Sequence, residues 1–113
     1  RLPRRLPYHV AMEIALTGDP LTADVAQHHG LVNRVVEPGG ALDGALELAA
    51  AVAANGPLAL AATKEILRRS LDWSEEEGWK RQTDIMAPVF SSADAREGAT
   101  AFAEKRPPRW QGK

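Results

Sequence analysis

Apolar residues recur at intervals of three and four along most of this chain, which is the spacing that one face of an α-helix requires. Between residues 41 and 54, for example, Leu42, Leu46, Ala49 and Ala53 fall on one side. The pattern predicts a mostly α fold of about six helices. They cover residues 8–16, 23–28, 41–54, 57–70, 75–87 and 93–106.

Residues suited to helix ends support these boundaries. Thr22, Ser74 and Ser92 stand where a side-chain oxygen can accept a hydrogen bond from a first-turn N–H group. Glu77 follows Ser74 at the spacing of a capping box. Asp94 lies in the first turn of the last helix, where the helix dipole favours an anion. The helix stops are rich in glycine or proline, at residues 18, 30, 55–57 and 107–108.

Two places interrupt the helical pattern. Residues 31–36 combine leucine with three valines and precede a turn cluster at residues 37–40, which predicts one short strand or extended segment. A single strand needs a partner for its backbone groups, so we expect one elsewhere in the protein or in another subunit. Pro88 removes a backbone hydrogen bond, and we expect it to bend or end the fifth helix near Ala87.

Composition limits the classes of protein that fit. The 113 residues suffice for one domain, and 44% hydrophobic with 26% charged residues is ordinary for a globular chain. A net charge of -1 gives no reason to expect nucleic acid or an anionic membrane as partner. There is no cysteine, which excludes disulfide and thiolate chemistry, and we expect a cytoplasmic location and no membrane span.

Several candidate sites have simpler structural explanations. His28 and His29 are adjacent on a helix, so their side chains point about 100° apart and do not chelate a metal. The three glutamates at residues 75–77 are explained by the capping box and the helix dipole. Three arginines near the start of the chain fit a solvated loop. We therefore expect no metal site and no catalytic residue among them.

For Phe102 and Lys105, two roles remain open: binding a ligand, or a purely structural role. Spaced three apart, they share a face near the end of the last helix. An aromatic ring beside an ammonium group can stack on a heteroaromatic base and pair with a phosphate. The alternative is that Phe102 lies in the core, on a face with Ala95 and Ala99, while Lys105 is a solvated cap.

Five short motifs follow one another along the chain: Leu16-Thr17-Gly18-Asp19, Gly30-Leu31-Val32-Asn33-Arg34-Val35-Val36, Ala53-Ala54-Asn55-Gly56-Pro57, Asp94-Ala95-Arg96-Glu97-Gly98 and Ala101-Phe102-Ala103-Glu104-Lys105-Arg106. Their order resembles the enoyl-CoA hydratase/isomerase (crotonase) family. The resemblance covers essentially the whole chain and is closest to the C-terminal portion of that family.

The resemblance implies a division of roles in which this chain carries no catalytic residue. Such proteins place an α/β spiral core, of the ClpP/crotonase fold, before a C-terminal helical domain. The core supplies two backbone amides that stabilise a thioester enolate, together with the acid and base carboxylates. Both lie upstream of Arg1, and neither Glu13 nor Glu37 stands at a matching position. Residues 1–113 would then form one helical oligomerisation domain.

The resemblance also suggests what the chain contributes to the intact protein. It implies that Phe102 and Lys105 contact the adenine-phosphate end of a coenzyme A thioester, which is a substrate rather than a cofactor. The helical region is expected to build homotrimers or hexamers. The implied reaction is hydration of a 2,3-enoyl-CoA. An isomerase or another acyl-CoA lyase is the alternative within the family, and a non-catalytic helical oligomerisation module is the alternative of another class.

Overall fold

The computed structural model describes all 113 residues and contains helices joined by turns, with no β-strand. The six predicted helices are confirmed as elements, and two 3₁₀ turns are added at Leu2–Arg4 and Ser70–Asp72. The α-helices are α1 (Tyr8–Thr17), α2 (Ala23–His28), α3 (Ala41–Ala53), α4 (Pro57–Arg69), α5 (Glu75–Phe90) and α6 (Ala93–Ala103).

The chain divides into two compact units, residues 1–47 and residues 48–113, with the division inside α3. In the first unit the 3₁₀ turn packs on α1, and the buried residues are Leu6, Ala11 and Ala26. In the second unit α5 packs between α4 and α6, and the buried apolar residues are Ala62 and Ala101. Alanine at these positions allows the helices to approach closely.

Local sequence explains most helix ends. Ser74 and Glu77 form the predicted capping box, in which the Ser74 Oγ accepts from the Glu77 N–H (3.3 Å) and a Glu77 carboxylate oxygen accepts from the Ser74 N–H (3.2 Å). This hydrogen bond from the Ser74 backbone lowers the pKa of Glu77. Thr22 and Ser92 cap α2 and α6 as predicted. Gly18 ends α1 in the left-handed conformation that glycine adopts readily (φ 72°).

Of the two alternatives predicted for residues 31–36, the strand is wrong, because this segment consists of bends and irregular backbone without strand pairing. Leu31 and Val32 instead donate their N–H groups back to the carbonyl of Ala26, which closes the end of α2. Val35 and Val36 remain exposed in part. The valines favour extended backbone, but no neighbouring strand in this chain offers the ladder of hydrogen bonds that a strand needs.

Pro88 does not end α5 at Ala87, as the sequence had suggested. The helix continues to Phe90, and the Ser91 N–H still donates to the carbonyl of Ala87. Proline removes the hydrogen bond from its own position and crowds the carbonyl four residues earlier, but it stands in the last turn, where the helix extends only two residues beyond it.

Much apolar surface remains uncovered. The accessible surface is 9149 Å², whereas a globular monomer of this mass exposes about 6,100 Å². No residue of α3 is buried. Large apolar side chains are also exposed on α1, α4, α5 and α6. They include Tyr8, Leu16, Leu42, Leu46, Leu67, Leu71, Trp79, Phe90 and Phe102. Surface of this extent and composition is typical of an interaction surface.

No single helix is long and apolar enough to cross a membrane. The pair formed by Ala41–Ala53 and Pro57–Asp72 meets the criteria of length and composition only when both parts are counted together across a bend of 108°.

Candidate functional site

Phe102 lies on the solvent side of α6. Its side chain is 88% exposed, so it does not belong to the core that these 113 residues form. The buried face of α6 is displaced by one residue from the predicted face, because Asp94 and Ala101 are buried and Gly98 lies against the Trp110 ring. An exposed aromatic ring has a free face on which a flat ligand group can stack.

Lys105 occupies the turn immediately after α6 in an unusual backbone conformation. Its φ is 53°, and it is the only residue other than glycine in the chain with a positive φ. The Lys105 N–H donates to the Phe102 carbonyl (3.2 Å), and the Arg106 N–H donates to the Ala101 carbonyl (3.0 Å). These two bonds form a Schellman motif, in which the left-handed position is usually glycine. A lysine there costs about 1–2 kcal/mol of conformational energy.

The Lys105 ammonium group forms no hydrogen bond or ion pair within the chain. It stands just beyond the carboxyl end of α6, where the helix dipole favours a cation. Local stability alone would be served better by glycine at this turn. The lysine therefore provides a charge that the chain itself does not use, next to the exposed ring of Phe102.

Arg106, the neighbouring cation, is fully engaged within the chain. Its guanidinium donates to both carboxylate oxygens of Glu97 (2.6 and 3.1 Å) and to Glu104 (2.6 Å). The Glu97 carboxylate also accepts from the Arg109 N–H (2.7 Å). The hydrogen bonds from Arg106 and then from the Arg109 backbone lower the pKa of Glu97 to about 2. The same pairing raises the pKa of Arg106, so both groups are ionised at neutral pH.

The residues after α6 fold back along this helix and are held by a second carboxylate. Asp94 is 4% exposed, and its two oxygens accept from the N–H groups of Gln111 (2.7 Å) and Gly112 (2.8 Å). Its own N–H donates to the carbonyl of Lys113 (3.0 Å). The carboxylate thus binds the backbone of the tail, residues 106–113, as well as standing at the positive end of α6.

Trp110 fixes the middle of the tail. Its indole N–H donates to the carbonyl of Ala54 (2.9 Å), one of the carbonyls left unpaired at the end of α3. The ring covers Gly98 so closely that a Cβ built there would stand 3.1 Å from it, and it also lies over Gly56. Tail and helices together line a small cavity of about 210 Å³.

These tail contacts were not predicted from the sequence. Arg106 and Glu97 are nine residues apart, and Gln111 and Asp94 are seventeen apart, so no rule of helical spacing relates them. Phe102 lies in the last turn of α6, but the helix ends at Ala103 and not at residue 106, and Lys105 has left-handed backbone, so the predicted sharing of one helix face is wrong. The role of both residues in binding stays a prediction. The His28 and His29 rings contact each other edge to face, with centroids 4.9 Å apart, and no group of three potential metal ligands occurs.

A separate groove lies between α4 and α5. It has a volume of about 540 Å³, and its lining is mostly apolar, comprising Thr63, Ile66, Leu67, Gln82, Thr83, Met86, Ala87 and Phe90. It contains no charged side chain, so it offers shape and apolar area but no group for acid-base chemistry.

Comparison with known proteins agrees with the helical fold and its tail. The family model for enoyl-CoA hydratase/isomerase matches residues 1–113. The crystal structure of an enoyl-CoA hydratase from Mycobacterium tuberculosis H37Rv superposes with a TM-score of 0.97 at 56% identity, over 100% of this chain and 45% of that one. An enoyl-CoA hydratase from Mycobacterium marinum gives a TM-score of 0.96 at 57% identity, over the same shares.

Two curated relatives extend the comparison. The enoyl-CoA hydratase EchA19 of Mycobacterium tuberculosis is 47% identical over 113 residues, which is 100% of this chain and 42% of the relative. A carnitinyl-CoA dehydratase of Salmonella arizonae is 46% identical over 116 residues, or 99% of this chain and 44% of the relative. The chain belongs to the enoyl-CoA hydratase/isomerase family, and it spans less than half the length of these relatives.

Proposed function

We propose that this chain is the C-terminal helical part of an enoyl-CoA hydratase. In that protein it would supply the rim of the coenzyme A binding site and the contacts between subunits. The family match over residues 1–113 supports the proposal most directly. The absence of strands is consistent with it, because an α/β core would have to lie in the part of the relatives that this chain does not span. The motif order in the sequence is the reason for choosing the C-terminal part.

In the proposed reaction water adds across the C2=C3 bond of an enoyl-CoA thioester. The hydroxyl group is transferred to C3 and a proton to C2, through an enolate whose charge must be stabilised by donors outside this chain. A dehydratase runs the same addition in reverse, so the enoyl-CoA hydratase and carnitinyl-CoA dehydratase relatives share one chemistry. The coenzyme A thioester is the substrate, and the proposed reaction needs no cofactor.

The end of α6 is the part of the chain proposed to meet the substrate. Phe102 offers an exposed ring for the adenine, and Lys105 offers an uncommitted ammonium group for a phosphate. Its strained backbone supports this role, because unfavourable conformations tend to persist where function requires them. No other group of the substrate is assigned to this chain.

Two substitutions at Lys105 separate charge from backbone strain. In the intact enzyme, Lys105→Ala and Lys105→Gly should both raise KM for an enoyl-CoA about three- to tenfold with kcat unchanged, because they remove one charged contact made equally in ground and transition states. Lys105→Gly should also raise the unfolding free energy by about 1 kcal/mol, because glycine accepts the left-handed conformation. Steady-state kinetics and urea denaturation measure the two effects.

Lys80→Ala is the matched control, since it removes an exposed lysine from another helix, α5, to which no ligand contact is assigned. It should leave KM unchanged. An unchanged KM in both Lys105 variants would contradict the proposed coenzyme A contact, whatever their stability.

The uncovered apolar surface supports a homo-oligomer, as a trimer or hexamer. We expect the 12.2 kDa chain, studied alone at micromolar concentration, to elute from a sizing column ahead of a monomer, with its mass confirmed by light scattering. A monodisperse monomer would contradict the proposed assembly role.

An isomerase or another acyl-CoA lyase is the second candidate within the family, because reaction type depends on groups outside this chain. A helical module that only assembles subunits is the candidate of another class, favoured by the exposed α3 and the small core. Assays of the intact protein with 2,3- and 3,4-enoyl-CoA esters distinguish these candidates: hydration, bond migration, or neither.

A further inference from the structure

We propose that Glu97 is a positioning residue for acyl-CoA binding: by holding Arg106 it fixes the left-handed turn that presents Lys105 after the end of α6. The inference rests on the proposed function, since it explains how that site is held. Glu97 itself is assigned no ligand contact, because its two oxygens already accept hydrogen bonds from Arg106 and the Arg109 N–H.

A strained turn needs fixed points on both sides. On the helix side, Lys105 is tied to α6 through its own N–H. On the tail side, Arg106 is held by its backbone N–H to Ala101, by two side-chain bonds to Glu97 and by a single one to Glu104, which lies only two residues before it. A residue in a sparsely populated conformation persists when its surroundings determine it in this way. Without Glu97 the turn would retain its backbone bonds but lose the bidentate pair, which is the more directional contact.

Glu97 also fastens the chain beyond the two prolines. Pro107 and Pro108 stiffen the segment that follows the turn, because their φ angles are fixed. Glu97 binds the residue before them, Arg106, and the N–H of the residue after them, Arg109. One carboxylate on α6 therefore holds both ends of a rigid segment, and the turn at Lys105 is confined between that segment and the helix.

The charge of Glu97 argues for a geometric rather than an electrostatic role. Coenzyme A is anionic, and carboxylates at Glu97 and Glu104 close to the ligand would weaken its binding through like-charge repulsion. If electrostatics alone mattered, neutralising Glu97 would improve binding. If positioning dominates, the same substitution weakens binding. The two explanations thus predict opposite signs for one measurement.

The test uses Glu97→Gln in the intact enzyme, with Glu104→Gln as the control. Both remove one negative charge at the end of α6, but only the first removes the bidentate pair. Loss of the ordered turn reduces the binding-competent fraction, so Glu97→Gln should raise KM for an enoyl-CoA about three- to tenfold with kcat within about twofold. Glu104→Gln should leave KM unchanged or lower it. An unchanged or lower KM for Glu97→Gln overturns the proposal.

A double-mutant cycle with Lys105→Ala separates this inference from the proposed function. If Glu97 acts through the turn, Glu97→Gln has little further effect on KM once Lys105 is alanine. Additive effects overturn the positioning role while leaving the Lys105 contact intact. If Lys105→Ala alone leaves KM unchanged, the proposed site itself fails, and the positioning role fails with it.

Folding defects are addressed by a second variant. Glu97→Asp keeps the charge but shortens the side chain by one methylene, so it loses the bidentate reach with less disturbance. A raised KM in Glu97→Asp, with an unfolding temperature equal to that of the wild type, supports the proposal. A wild-type KM in that variant overturns it, even where Glu97→Gln unfolds.

Discussion

Replacing Asp94 with alanine should lower the unfolding free energy of the intact protein by about 3 kcal/mol, because two hydrogen bonds to a buried carboxylate are lost. Asp94 accepts from the N–H groups of Gln111 and Gly112, and its side chain is almost inaccessible to solvent. Alanine would leave both donors without a partner. The tail would loosen, and the Trp110 ring would lose part of what holds it over Gly98.

Asp24 provides a matched control for this prediction. It occupies the same first-turn position in α2 that Asp94 occupies in α6, and it is exposed. Asp24→Ala should lower the unfolding free energy by no more than about 1 kcal/mol, which is what an acidic residue contributes near an exposed helix start. Asp94→Asn, which keeps one acceptor oxygen, should fall between the two alanine variants. Urea denaturation followed by circular dichroism measures all three. Equal losses for Asp24→Ala and Asp94→Ala would contradict the role given to the tail contacts.

The 113-residue chain studied alone should show no hydration of crotonyl-CoA above the uncatalysed rate. A general acid usually combines burial with a raised pKa. Structural hydrogen bonds lower the pKa values of Glu77 and Glu97, which is the opposite of what that role requires. The expected difference in rate between the intact enzyme and the 113-residue chain is therefore the whole rate enhancement of an enzyme, at least about a millionfold.

The loss of crotonyl-CoA absorbance in the ultraviolet measures this directly, with the intact enzyme as the positive control at equal molar concentration. Turnover by the 113-residue chain would contradict the assignment of the catalytic groups to the rest of the protein. Turnover by neither protein would contradict the proposed hydratase activity and favour the non-catalytic alternative.

Sequence reasoning succeeded where the decisive contacts are local. The capping box of Ser74 and Glu77 depends on residues three apart, and it formed as predicted. It failed where a distant segment decides the outcome. Thr22-Ala23-Asp24 and Ser92-Ala93-Asp94 have the same pattern, yet only the second aspartate is buried, because the tail covers α6 and no corresponding segment covers α2.

The same limit applies to the candidate site. The position of Phe102 and Lys105 at the end of a helix was predictable from capping residues and prolines. The left-handed conformation of Lys105 was not, because lysine is rarely found there and glycine is the usual signal. The displaced buried face of α6 follows from Trp110, which packs on Gly98 from twelve residues further along the chain.

Arg106 and Trp110 anchor the tail through their side chains, but residues 109, 111 and 112 are bound by α6 only through backbone N–H groups. Asp94 and Glu97 accept from the N–H groups of residues 109, 111 and 112, whose side chains take no part in those bonds. Evolution can therefore exchange Arg109 and Gln111 for almost any residue except proline, which has no N–H to donate. Gly112 is constrained separately, by a positive φ of 73°. Conservation should thus concentrate on Asp94 and Glu97 and on the tail residues that act through their side chains, Arg106 and Trp110, rather than on Arg109 and Gln111.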